Sequence, residues 1–183
     1  MNKQEFLDKL TKLNLTIDTF SKQANITIDD INKWTKTTPN KVINWLLDYE
    51  YKQKIKLLQK EFIEIKKTAK WFKSYHHAIY EFVMSKKKYI EFEVADYNII
   101  IKVGNQNFGF KHLILKHYGE NSIGEVSALD ILKIGNIIKH DLTIPTENEN
   151  RIVFMQSKND TKYKVILHKE KDGKLLFSFF SDK

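Results

Sequence analysis

Hydrophobic residues recur every three to four positions through the first half of the chain, which is the spacing of amphipathic helices. Helices are predicted at Glu5–Leu13 and Pro39–Tyr49, and Tyr51–Met84 forms one long helix or two abutting ones because it holds neither glycine nor proline. From Lys88 onward the apolar period falls to two, which predicts strands. The chain is therefore predicted to begin with helices and to end in a sheet.

The second half of the chain combines strands with two helices. The predicted strands are Tyr89–Val94, Asn98–Val103, Arg151–Ser157, Lys162–Lys169 and Lys174–Ser181. A glycine-bracketed helix lies within Gly104–Gly119, and Ser127 caps another over Ala128–Lys139. Asp172-Gly173 marks a hairpin between the last two strands. This order predicts an α+β fold, in which an N-terminal all-α bundle precedes an antiparallel sheet with packed helices.

Residues 16–34 have the spacing of two short helices joined by a tight turn. Thr16 and Thr27 are suited to cap these helices, and Asn25 tolerates the left-handed conformation that the turn requires. The segment is similar to the helix-turn-helix of phage-repressor-like regulators. If it reads DNA, it does so with the exposed face of its second helix, which carries Thr27, Ile28, Asp29, Asn32 and Lys33. Asp29 and Asp30 place negative charge there, so a docking or dimerisation module of the same shape stays open.

Charge divides the chain into regions. Residues 1–50 are neutral overall, whereas residues 51–90 hold 11 lysines against three acidic residues. We therefore predict a helix-turn-helix domain at 1–50, a basic helical connector at 51–86 and a C-terminal domain at 87–183. Lys66, Lys70 and Lys73 of the connector are candidates to bind phosphate, and a solvated helix face is the alternative.

Composition excludes several classes of protein. The chain has no cysteine, which excludes disulfides, zinc–thiolate sites and a cysteine nucleophile. It carries no metalloprotease, Walker or dinucleotide-binding motif, and we expect neither a metal nor a cofactor. The first residues do not have the pattern of a signal peptide, and no apolar run approaches the ~18 residues of a membrane span. We expect a cytoplasmic protein with no membrane partner.

Candidate catalytic side chains lie in the C-terminal part. His112 and His117 share the glycine-bracketed helix, but positions five apart on a regular helix point about 140° apart. Both face one site only if the helix ends near Leu115 or Lys116. Arg151 is the one arginine among 31 basic residues, which indicates a role for its planar fork in a phosphate contact or in a structural ion pair.

Residues 89–183 resemble the barnase/EndoU/colicin/RelE-like ribonuclease superfamily in its phage-type and epsilonproteobacteria-type branches. The likeness is carried by five features in order along the chain: Gly109–His117, the helix Ser127–Ile134, Arg151 at a strand start, Tyr163-Lys164-Val165, and Leu176–Phe180. The closing strand of such families usually carries threonine, then an aromatic residue and tyrosine. Here Ser178 keeps a hydroxyl, and Phe180 lacks the phenol.

The resemblance implies a metal-independent endoribonuclease that cleaves RNA through attack by the 2′-hydroxyl. It implies His112 and His117 as base and acid, with His112 favoured as the catalytic residue and His140 and His168 in reserve. Arg151 and Lys164 would clamp the phosphate, and Ser178 would hydrogen-bond it. A toxin or phage-related effector fits this activity, with RNA as substrate and with DNA, an inhibitor protein or a second copy of the chain as partners.

Two other functions remain open on the sequence. The protein could be a DNA-binding transcriptional regulator or antitoxin-like protein whose C-terminal domain has kept the fold and lost the chemistry. It could also be an interaction module whose helix-turn-helix serves as a dimerisation surface.

Overall fold

The structure is a computed structural model that describes residues 1–34, 37–85, 87–119, 124–139, 146–148, 150–158, 160–171 and 173–182. At residues 146, 147, 158, 177 and 182 the backbone alone is described. The chain divides into two compact units, Met1–Lys52 and Gln53–Lys183. Most of the basic segment at 51–86 therefore belongs to the second unit. The reserve candidate His140 and the predicted turn residue Asp172 lie outside the described residues.

The first unit is built by helices α1 (Lys3–Lys12), α2 (Ile17–Ala24), α3 (Ile28–Asn32) and the start of α4 (Asn40–Thr68). Thr16 and Thr27 cap α2 and α3 through their side chains, as predicted. Asn25 adopts a left-handed conformation with φ of 53°, which reverses the chain between the two helices. The local chemistry of these three side chains thus sets the starts of α2 and α3 and the turn between them.

An apolar core holds these helices together. It consists of Phe6, Leu10, Leu15, Phe20, Ile31, Val42 and Leu46. The ring of Phe6 meets that of Phe20 edge-on, with centroids 5.1 Å apart. The ammonium of Lys9 contacts the buried carboxylate of Glu50 at 2.6 Å. The apolar stripes of all four helices therefore converge on one core, as their spacing predicts.

Helix α4 is longer than its sequence pattern indicates. It runs without interruption over 29 residues from Asn40 to Thr68, so the predicted separation between a helix ending at Tyr49 and another starting at Tyr51 is wrong. Nothing in residues 49–52 breaks a helix, because neither proline nor glycine stands there. The break comes later, and α5 spans Ser74–Met84.

Six strands form the sheet of the second unit. They are β1 (Tyr89–Val94), β2 (Tyr97–Lys102), β3 (Thr146–Glu147), β4 (Arg151–Lys158), β5 (Thr161–Glu170) and β6 (Gly173–Asp182). Their order across the sheet is β1-β2-β6-β5-β4-β3. The α+β class is confirmed, with one difference in the sheet: β2 and β6 pair in parallel, while the other neighbours are antiparallel. No hairpin joins β2 to β6, so local turn chemistry does not set their relative direction.

The sheet has two unlike faces. Register and alternation place Ile152, Phe154, Val165, Leu167, Leu176 and Phe179 on one face, and all six are buried. Helix α8 (Ile134–Lys139) packs against β4 and β5, and α5 packs against β1. The opposite face, here called the open face, carries Val153, Met155, Lys164, Ile166, Ser178 and Phe180. Most of these side chains are exposed or half-buried, so the open face is where the sheet meets solvent.

Two more helices complete the second unit. Helix α6 spans Gly109–His117 and packs against β6 and β2. Helix α7 spans Ala128–Leu132, and Ser127 caps it in a reciprocal capping box with Asp130. The predicted single helix at 128–139 is instead two helices, α7 and α8, because the chain leaves helical geometry at Lys133.

Candidate functional site

Helix α6 begins immediately behind β2 because two glycines let the backbone turn there. Gly104 and Gly109 both have positive φ, of 67° and 78°. A Cβ on Gly109 would lie 3.1 Å from the carbonyl oxygen of Lys102, so the chain can approach the end of β2 only without a side chain. The N–H of Lys111 then donates to the carbonyl of Val103 at 2.7 Å. These contacts fix the start of the helix that carries both histidines.

Lys54 holds the other end of α6. Its ammonium donates to the carbonyl oxygens of Ile114, Leu115 and Tyr118 at 3.2, 3.4 and 2.9 Å. The carbonyls at the end of a helix lack partners within the helix and carry its negative dipole, so a lysine there supplies both hydrogen bonds and charge. Sequence reasoning missed this role, because Lys54 is one of many lysines on α4 and its partners lie about 60 residues away.

The structure brings the rings of His112 and His117 together. Their centroids lie 5.5 Å apart, and the rings meet at 74°. Both histidines belong to α6, which ends at His117, so the expectation that they can face one site only if the helix ends near Leu115 or Lys116 is wrong. Nδ1 of His112 lies 2.8 Å from the carbonyl oxygen of Gln106 in the preceding loop, which orients that ring.

His117 is enclosed on several sides. Its ring stacks on that of Phe180 with centroids 5.5 Å apart. A Cβ on Gly124 would lie 2.9 Å from Nδ1 of His117, so this segment approaches the ring as closely as a glycine allows. Nδ1 is buried and has no partner with hydrogen-bond geometry within the part of the chain that the structure describes. The ring is thus positioned by packing more than by polar contacts.

The surroundings of His117 favour its neutral form. Burial lowers the pKa of His117 to about 4, and the neighbouring His112 acts in the same direction. The backbone of Gly124 is near enough to oppose this shift in part, although it does not reach hydrogen-bond geometry. His117 is therefore uncharged near neutral pH.

Lys164 and Ser178 lie on the open face next to Phe180, the residue on which His117 stacks. Lys164 is directly opposite Phe180 in the β5–β6 register, and its ammonium lies 5.7 Å from the Phe180 ring centroid. Ser178 precedes Phe180 by two residues on the same face and is only 5% exposed. Phe180 therefore contacts His117 and lies near the ammonium of Lys164, while His112 is reached through His117 and Ser178 shares the face of β6 with Phe180.

Arg151, the fifth, lies at the far end of the open face. It pairs with His168, whereas Lys164 pairs with Met155. Four residues along a strand cover about 13 Å, so Arg151 and His168 are both well removed from the histidine pair. The register therefore places the backbone of Arg151 at the other end of the open face from Lys164.

The residues predicted to read DNA are partly engaged within the first unit. The hydroxyl of Thr27 donates to Asp30 at 2.7 Å, and the side-chain oxygen of Asn32 accepts from Lys3 at 3.3 Å. Lys33 contacts Asp30 at 3.6 Å. Ile28 is 40% exposed and Asp29 is exposed, on a helix of only five residues. The predicted surface exists, and it is short and acidic.

The lysines predicted to bind phosphate are not part of the histidine site. Lys66, Lys70 and Lys73 are all exposed at the end of α4 and in the segment before α5. The ammonium of Lys66 lies 4.1 Å from the ring centroid of Tyr80. These lysines thus lie close to the aromatic residues of the segment 71–80.

Within the described ranges, no three or more histidine, aspartate or glutamate side chains are grouped in a way that could hold a metal ion. Among the described helices, none combines the length and apolar character needed to cross a membrane. Comparison of the chain with family models, with curated proteins and with solved structures finds no match to any of them.

Proposed function

We propose that this protein is a metal-independent endoribonuclease that cleaves RNA by attack of a 2′-hydroxyl on the adjacent phosphate. The observation that carries the proposal is the contact between His112 and His117, with Lys164 near Phe180, the ring on which His117 stacks. Cleavage without a metal needs a base, an acid and a cation for the crowded phosphorane. Two histidines and a lysine supply these three functions.

The hydrogen bonding of His112 suits it to act as the base. A carbonyl oxygen only accepts, so Nδ1 of His112 carries a hydrogen that it donates to Gln106. In the neutral ring the lone pair is then on Nε2, which takes the proton of the 2′-hydroxyl. As the 2′-oxygen bonds to phosphorus, the bond from phosphorus to the 5′-oxygen breaks. The products are a 2′,3′-cyclic phosphate and a 5′-hydroxyl.

His117 suits the acid role once RNA is bound. A bound phosphate brings negative charge to a ring whose pKa is lowered by burial, and an opposite charge within about 4–6 Å raises the pKa of a histidine. The protonated ring then delivers its proton to the leaving 5′-oxygen. Lys164 stabilises the phosphorane charge, and Ser178 donates a hydrogen bond to a phosphate oxygen.

The test is cleavage of total RNA by the purified full chain in excess EDTA. Wild type should produce fragments with 2′,3′-cyclic phosphate ends, and His112→Ala should lower the rate by roughly 100-fold to 10,000-fold. His77→Ala is the matched control, since His77 is an exposed histidine on α5 and its variant should cleave like wild type. Equal cleavage by wild type and His112→Ala would contradict the assignment, and an RNA substrate methylated on every 2′-oxygen should resist cleavage.

A DNA-binding regulator with an inert second unit is the second candidate function. The helix-turn-helix geometry at Asn25, with its two threonine caps, favours it. A mobility-shift assay on the DNA upstream of the protein's own reading frame separates the two functions. Binding that resists competitor DNA, together with intact RNA in the cleavage assay, would favour the regulator. Growth arrest on expression of wild type but not of His112→Ala would favour a toxin.

A further inference from the structure

An exposed tryptophan lies among lysines in the helical part of the second unit, in the segment that joins α4 to α5. Trp71 stands between α4 and α5 and is 37% exposed. We call it, together with the lysines around it, the Trp71 patch: Trp71, Lys66, Lys70, Lys73 and Lys133. In the described part of the chain none of these residues contacts His112 or His117, so the patch is separate from the candidate catalytic site.

The Trp71 ring packs against two other rings. It meets the ring of His76 edge-on with centroids 4.8 Å apart, and it lies 5.1 Å from the ring of Phe72. His76 is itself fixed, because its Nδ1 accepts from the N–H of Lys73 at 2.9 Å and its Nε2 donates to Asn136 at 2.8 Å. A large aromatic side chain is thus partly exposed on a fixed support, where its free face is accessible to a ligand.

One cation faces this ring, and others lie close to it in the sequence. The ammonium of Lys133 lies 5.0 Å from the Trp71 centroid, within the range of a cation–π contact. Lys70 and Lys73 flank Trp71 in the sequence, and the ammonium of Lys66 lies 4.1 Å from the ring centroid of Tyr80. Residues 65–80 contain four lysines and no acidic residue, and one of the four, Lys67, is paired with Glu64. The other three lysines and Lys133 leave an excess of positive charge that complements an anion.

Aromatic rings beside lysines are what a single nucleic-acid strand requires. Its unpaired bases stack on the rings while its phosphates meet the cations, and a duplex cannot offer its bases in this way. We propose that the Trp71 patch is a second RNA-binding surface, at which an unpaired base stacks on Trp71 and the flanking phosphates contact Lys66, Lys70, Lys73 and Lys133. The choice of RNA rests on the proposed ribonuclease function. The patch would hold a single-stranded part of the substrate away from the histidine pair.

The experiment measures binding without cleavage. A fluorescently labelled single strand of about 12 nucleotides, with a 2′-O-methyl group on every sugar, cannot undergo 2′-hydroxyl attack. Its anisotropy is titrated with the full chain. Trp71→Ala should weaken binding roughly 5-fold to 100-fold, whereas Trp71→Phe should keep most of the affinity. Tyr89→Ala is the matched control, because Tyr89 is a 56% exposed aromatic residue on β1 and its removal should leave binding unchanged.

A second variant tests the proposal independently, in case Trp71→Ala does not fold. The double substitution Lys70→Gln and Lys73→Gln changes two exposed side chains, and it should reduce the slope of log Kd against log salt by about 1.4, or about 0.7 for each phosphate that is no longer neutralised. A blunt-ended RNA duplex should compete poorly with the probe. The proposal is overturned if both patch variants bind within about twofold of wild type, if the duplex competes equally well, or if wild type does not bind the probe.

This test is independent of the catalytic assignment. The methylated strand cannot be cleaved, so its affinity is measured whether or not the protein has ribonuclease activity. If no RNA is cleaved but the probe still binds through Trp71, the proposed ribonuclease fails and the RNA-binding surface stands. If RNA is cleaved but the patch variants bind and cleave as wild type does, the surface fails and the ribonuclease stands.

Discussion

Replacing Lys54 with methionine should destabilise the second unit by about 2–3 kcal/mol. The ammonium of Lys54 donates to three carbonyl oxygens at the end of α6, at 2.9–3.4 Å. Methionine keeps the apolar stem that packs on the neighbouring helix and removes only the charged donor. The variant therefore isolates the contribution of the ammonium to stability.

The magnitude follows from the hydrogen bonds and the helix dipole. A hydrogen bond with one charged partner contributes about 1.5–3 kcal/mol, and three bonds from one ammonium do not add in full. Interaction with the helix dipole contributes about 0.3–1 kcal/mol more. Lysine and methionine have similar side-chain conformational entropy to lose on burial, so the entropy term changes little. The net destabilisation is about 2–3 kcal/mol, which corresponds to a fall in Tm of roughly 4–12 °C.

Urea denaturation followed by Trp71 fluorescence measures this destabilisation. Trp34→Phe and Trp45→Phe are introduced in every protein, since these two tryptophans belong to the first unit and would obscure the signal. Lys56→Met is the matched control, because Lys56 is an exposed lysine two residues further along α4 and its replacement changes net charge equally. The control should cost less than about 0.5 kcal/mol.

Equal stability of the Lys54→Met and Lys56→Met proteins would refute the reasoning. So would a destabilisation by Lys54→Met that disappears in high salt, because screening of that kind is the behaviour of a surface charge and not of a partly buried donor. If this reasoning and the proposed ribonuclease function both hold, the Lys54 variant should also lose activity in proportion to fraying of α6, since His117 is the last residue of that helix.

Two further outcomes are expected. With the pKa of His117 near 4 in the folded protein against about 6.5 when unfolded, the unfolded chain binds a proton first, so stability falls as pH drops from 6.5 towards 4. In His117→Phe, the loss of unfolding free energy between pH 6.5 and pH 4 should be smaller than in wild type, by less than about 3 kcal/mol after solvent screening. Burial also lowers the pKa of His76, so a smaller pH dependence of the same sign remains in this variant. Urea denaturation at several pH values measures the effect, and a stability profile identical to that of wild type would contradict it. Gly135→Ala should cost about 1–3 kcal/mol despite alanine's helix propensity, because the new Cβ would meet the ring of Tyr75, which Asn136 holds by a hydrogen bond of 3.0 Å. A Gly135→Ala protein with a wild-type Tm would show that Tyr75 moves freely.

Features that depend on local chemistry were predictable from the sequence. Thr16, Thr27 and Ser127 cap helices because a hydroxyl at a helix start accepts a backbone hydrogen bond wherever it occurs. Asn25 forms the predicted turn for an equally local reason. Five of the six described strands were predicted to within two residues at each end because alternation of apolar residues follows directly from burial of one sheet face, whereas the two-residue strand β3 was not predicted.

Features that depend on distant parts of the chain were not predictable. The role of Lys54 requires knowing that α6 ends beside α4, and the parallel pairing of β2 with β6 requires knowing which strands are neighbours. The candidate site likewise has one part that the sequence predicts and another that depends on distant parts of the chain. The histidines could be selected by residue type and motif, but their contact did not follow from regular-helix spacing, and the distance of Arg151 from them depends on the β4–β5 register.

The position of β6 determines when the second unit can be completed during synthesis. β6 is the last described strand along the chain, yet it lies in the interior of the sheet between β2 and β5. The β1–β2 hairpin and the β3–β4–β5 meander therefore cannot join into one sheet until the ribosome has translated β6. Phe180, against which His117 stacks, arrives with that strand. A nascent chain would thus carry an incomplete histidine-pair site until β6 has been translated.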